Sequence, residues 1–83
     1  MQIGIEISLY PLNSDFIPPI DDFIARLNRD GRFKVVTNSM STQIFGPYAV
    51  LLDALTQEMR ITFERTGKAI FVMKVLGPLE ASG

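Results

Sequence analysis

The sequence predicts an α+β sandwich in the order βαββαβ: one four-stranded antiparallel sheet with two helices on one face. Residues 2–10 alternate apolar and polar side chains without a break, the period of a strand with one buried face. Two later segments space their apolar residues at helical intervals, and each runs into a glycine. Strand signals lie before, between and after those helices. Two right-handed βαβ units in that order interlock most simply as the ferredoxin-like sandwich. The first and third strands are then central, and the second and fourth are edges.

Each element has its own justification. In 2–10, Ile3, Ile5, Ile7 and Leu9 share one face; Gly4, Glu6, Ser8 and Tyr10 share the other. Pro11, Asn13 and Ser14 break the strand. In 16–30, Phe16, Ile20, Phe23, Ile24 and Leu27 form one helical stripe. Pro18 and Pro19 fit only its start, Asp21 and Asp22 suit its positive end, and Gly31 suits a left-handed stop. Phe33, Val35 and Thr37 alternate with Lys34, Val36 and Asn38; a third strand follows over Ser39–Phe45, with a tight connection at Asn38–Met40. Gly46-Pro47 opens the second helix, with Pro47 near its first position. Tyr48, Leu51, Leu52, Leu55, Met59 and Phe63 are its apolar stripe, and Gly67 ends it. Residues 68–76 are the last strand, stopped by Gly77-Pro78, and the final five residues are expected to fray.

The 83 residues hold one core and so one domain, 1–83. The chain has no Cys and no His, which removes disulfides, thiolate or imidazole metal sites and an imidazole base. A net charge of −1 argues against a nucleic-acid surface. No apolar run approaches a membrane span, and the start alternates instead of forming a leader. The expectation is a cytoplasmic protein with no metal, no cofactor and no catalytic activity. Acylphosphatase-type and RNA-recognition readings share the topology. The first wants an arginine-bearing glycine loop after the first strand, the second a basic aromatic motif, and the sequence offers neither.

Two features carry functional expectations. The stretch from Thr37 to Gln43 is nearly all hydroxyl and amide side chains. It fits a hairpin turn, and it also fits a heterocyclic ligand with mixed donors and acceptors. The second feature is the last strand. Phe71, Met73 and Val75 suit the helix side, which leaves Ile70 and Val72 on the open face near Gly4, Val36 and Tyr10. Such a patch is usually covered, most simply by a second copy, as a homodimer or homotetramer through the open face. Glu6, Val36, Ile70 and Val72 are the candidate interface residues. Glu6 pairs with Lys34 or Lys74, or meets a cationic ligand. Met40, Met59 and Met73 are expected to fill core or interface.

The run ISLYPL at 7–12, and V-x-T-N-x-M-S-T-Q-I-x-G at 36–46 before a helix, resemble the YkoF-type thiamine-binding protein family over about residues 3–76. That resemblance implies a ferredoxin-like fold, association through sheets, and non-catalytic binding of thiamine or its hydroxymethylpyrimidine moiety in thiamine uptake or salvage. It also implies ligand contacts at Ser8, Tyr10, Thr37, Asn38, Ser41, Thr42 and Gln43, with Tyr10 stacking on the ring and Glu6 balancing a thiazolium charge. Strand alternation means that not all of these can point one way. The competing expectation is an assembly or regulatory module with no small ligand; an amino-acid-sensing domain of the same topology is a third.

Overall fold

The computed structural model describes residues 1–79. The elements are β1 (Gln2–Pro11), α1 (Ile17–Asp30), β2 (Lys34–Thr37), β3 (Thr42–Pro47), α2 (Tyr48–Thr66) and β4 (Ala69–Leu79). The sheet runs β2-β3-β1-β4, and all three pairings are antiparallel. This is the expected βαββαβ sandwich, with β1 and β3 central. Ile3, Ile5, Ile7 and Leu9 from β1 and Ile44 from β3 meet Phe23 and Leu27 of α1 and Leu51 and Leu55 of α2 in one core. Burial of this face is the main stabilising contribution.

Several boundaries differ from the sequence expectation, each for a local reason. Gly46 and Pro47 belong to β3, where they pair with Ile3 and Gln2. Pro47 is the N-cap of α2 with extended φ −64° and ψ 139°, so it precedes the helix. Phe33 packs across Gly46 so closely that a Cβ there would lie 2.5 Å from Phe33 Cδ1. β4 does not stop at Gly77-Pro78. It passes through them by a bulge opposite Ile3 and resumes pairing at Leu79 with Gln2, the setting in which a strand tolerates glycine and proline. Of the five residues expected to fray, Leu79 is instead held in the sheet by Gln2, and 80–83 lie outside the described residues. Asp21 and Asp22 fall one turn inside α1, whose first turn carries no acid. Gly31 does adopt the left-handed stop, φ 76°.

Register puts Phe71, Met73 and Val75 on the helix side, opposite Leu9, Ile7 and Ile5. Of these only Phe71 packs against the core, between the rings of Phe23 and Phe63. Met73 and Val75 are exposed. Phe16, Tyr48 and Phe63 at the helix ends are also about half exposed. Buried Ala54 and Thr62 complete the α2 face instead.

A buried cation ties the helices together. Arg26 is 7 % exposed. Its Nε donates to Asp22, its Nη1 to the Glu58 carboxylate at 2.6 Å and to the Glu58 carbonyl, and its Nη2 to Thr62 Oγ1 at 2.7 Å. Arg65 also pairs with Asp22. All three guanidinium nitrogens are therefore engaged, the condition for tolerating a buried charge. No helix of the described residues is long and apolar enough to cross a membrane.

Candidate functional site

A cleft of about 360 Å³ opens at the end of the sheet where β1 leaves it, α1 begins and β2 turns into β3. Phe16, Ile20, Phe23 and Ile24 form its apolar wall, and the β2–β3 turn forms its polar wall. Ser8, Tyr10, Thr37, Asn38, Ser41 and Thr42 all border it. Gln43 does not. It lies on the open face, in a shallow groove with Gly4, Glu6, Phe45, Lys74 and Leu76.

Strand alternation divides the candidates. Thr37 and Thr42 are cross-strand partners in register with the buried Ile44 and Ile7, so they face the helix side. Their hydroxyls lie 3.2 Å apart and either can donate. One proton is used between them, and the other can be offered to a ligand. Ser8 and Tyr10 stand on the opposite face of β1. Ser8 Oγ donates to the Met40 carbonyl at 3.4 Å, and Tyr10 pairs with Ile70. Tyr10 thus borders the cleft from the open face; on the helix side the aromatic rings are buried Phe23 and the half-exposed Phe16. The helical spacing places Phe16 in the apolar stripe of α1. Its position ahead of Pro18-Pro19, outside the helix proper, was the available signal.

Asn38 builds the turn. Its Oδ1 accepts from the backbone N–H groups of Met40 at 2.8 Å and Ser41 at 3.0 Å, and its own N–H donates to the Ser41 carbonyl. The side-chain carbonyl is consumed by this Asx geometry, which leaves only the amide NH₂ free. The turn occupies Asn38–Ser41, so β3 starts at Thr42 and not at Ser39. Met40 at its tip is 83 % exposed, so it fills no core.

Glu6 has found its partner within the chain. Lys74 Nζ stands 3.8 Å from one carboxylate oxygen and Ser41 Oγ donates to the other at 3.1 Å. Lys34 instead sits over the Phe45 ring, 5.9 Å from its centroid. Val36 occupies the far edge of the open face from Ile70 and Val72, with polar Gln43 and Glu6 on the two strands between them and Lys74 beside Val72 on β4. The proposed patch is therefore two apolar margins, not one continuous surface. Gly4 neighbours Leu76, not Ile70. Among the described residues no cluster of acidic side chains is arranged to hold a metal ion.

No protein-family model and no curated protein sequence matches the chain. Solved structures do. A Thermotoga maritima protein described as one of thiamine biosynthesis or salvage superposes with TM-score 0.84 at 16% identity, over 100% of this chain and 88% of that one. A Streptococcus pneumoniae protein gives 0.86 at 21% identity, over 99% and 92%. A DUF77 domain of unknown function from Bacillus cereus gives 0.74 at 16%, over 94% and 77%. At such identities the likeness establishes a shared ferredoxin-like fold over nearly the whole chain.

Proposed function

We propose that the chain binds thiamine or its hydroxymethylpyrimidine moiety in the end-of-sheet cleft, without catalysing a reaction on it, as a carrier or sensor in uptake or salvage. The observation that carries this reading is the cleft itself: an aromatic and aliphatic wall opposite hydroxyl and amide groups. An aminopyrimidine has a flat apolar face, ring nitrogens that accept and an amino group that donates. Phe16 suits the face, and the Thr37–Thr42 pair and the Asn38 amide suit the edge. The fold shared with the Thermotoga maritima protein adds support for the ligand class.

Isothermal titration calorimetry with thiamine and with hydroxymethylpyrimidine tests it. Saturable binding at micromolar affinity or better is expected. The double variant Thr37→Val/Thr42→Val keeps shape while removing both hydroxyls. At about 1 kcal/mol per hydrogen bond it should weaken binding roughly tenfold or more. An unchanged affinity would exclude this cleft, and absence of heat with either compound would exclude the ligand class.

A second reading is self-assembly through the open face. It is favoured by Tyr10, Ile70, Val72 and Leu76, all about half exposed or more on one margin of that face. The two readings are compatible, because the cleft and that margin meet at Tyr10.

A further inference from the structure

We infer that the cleft takes the unphosphorylated form of its ligand and rejects the phosphate ester. The inference rests on the binding reading above. Among the described residues, none that lines the cleft is acidic or basic. An anion entering it would lose its hydration and meet no compensating charge.

The usual alternative source of anion affinity is also weakened. The first turn of α1 borders the cleft through Phe16 and Ile20, and a helix N-terminus ordinarily offers free N–H donors to a phosphate. Here Pro18 and Pro19 occupy that first turn. Neither has an N–H, so the donors a phosphate would use are thinned where the cleft meets the helix. The proline pair therefore has a second consequence beyond starting the helix.

The charged group hydrogen-bonded to the polar wall is a carboxylate, held in a pair with Lys74. Ser41, part of the polar wall, gives its hydroxyl proton to Glu6. A phosphate approaching Ser41 would face that carboxylate, only partly offset by Lys74 at 3.8 Å. A neutral pyrimidine alcohol is unaffected, and a cationic ring is tolerated on that side.

The test compares hydroxymethylpyrimidine with its monophosphate, and thiamine with its monophosphate, by calorimetry at fixed ionic strength. The esters should bind at least about a hundredfold more weakly. Esters that bind as tightly as the alcohols would overturn the inference and leave the binding reading intact. If neither form bound, the binding reading would fall, and the inference with it. Two variants probe the cause. Ser39→Arg adds a cation to the exposed turn, and Glu6→Gln removes the neighbouring anion; each should narrow the gap between alcohol and ester. An ester affinity unmoved by both would overturn the electrostatic origin of the selectivity.

Discussion

Asn38 illustrates how one side chain can satisfy two readings of the same residue type. Its carbonyl oxygen holds the N–H groups of Met40 and Ser41, so the hairpin explanation of this polar stretch is correct for that atom. Only the NH₂ remains for a ligand. Asn38→Ala should therefore cost about 1 kcal/mol of stability in chemical denaturation, because two turn N–H groups lose their acceptor. Asn38→Asp, which keeps the acceptor, should restore most of it. Equal losses in both variants would mean that the turn does not depend on this oxygen. The hydroxyls of Thr37 and Thr42 were legible as site candidates from the polar run and the family resemblance, but their common side follows from the β2–β3 register, which the sequence does not give. The place of Phe16 at the cleft wall was signalled only by its position ahead of Pro18-Pro19. Its spacing matches the α1 stripe, while its ring stands about half exposed at the cleft wall.

Between elements, the join of α1 to α2 rests on a cation that hydrophobic periodicity passes over. Arg26 falls three residues after Phe23 and one before Leu27, so the spacing places it on the buried stripe. A reading that counts only apolar residues leaves it out. Its partners Glu58 and Thr62 lie one turn apart on α2 and receive it at 2.6 and 2.7 Å. Arg26→Met removes the cation and strands a partly buried carboxylate, so a loss of about 3 kcal/mol is expected. Arg26→Met combined with Glu58→Leu should recover most of that loss, because a matched apolar pair replaces a matched ionic one. A double variant no more stable than the single would show that the network, and not the isolated charge, sets the cost. The β3–α2 boundary makes a related point. Gly46-Pro47 signals a helix start, yet pairing with Ile3 and Gln2 keeps both residues in the sheet, and the ring of Phe33 fills the space over Gly46. Gly46→Ala should cost about 1–3 kcal/mol by overpacking that contact, measurable as a lower denaturant midpoint.

For the whole molecule, strand order and the helix-covered face could be read from periodicity, since both follow from local patterns and the handedness of the crossovers. The degree of cover over β4 could not, because it depends on where α2 settles across the sheet. Met73 and Val75 face the helices in register and are still 37 % and 50 % exposed, while Ile70 and Val72 are exposed on the other side. A long edge strand that is apolar on both faces invites a partner. Gln43 and Glu6 separate this margin from Val36, so the two margins can be tested apart. If copies of the chain associate through the open face, Val72→Lys should give monomers at micromolar concentration in light scattering. Val36→Lys then reports the extent of the contact. Monomers from both variants mean that the whole face is covered, whereas an assembly that survives Val36→Lys is confined to the β4 side. An assembly that survives Val72→Lys does not use the β4 side of the open face, because a lysine in a packed sheet interface would bury an unpaired charge.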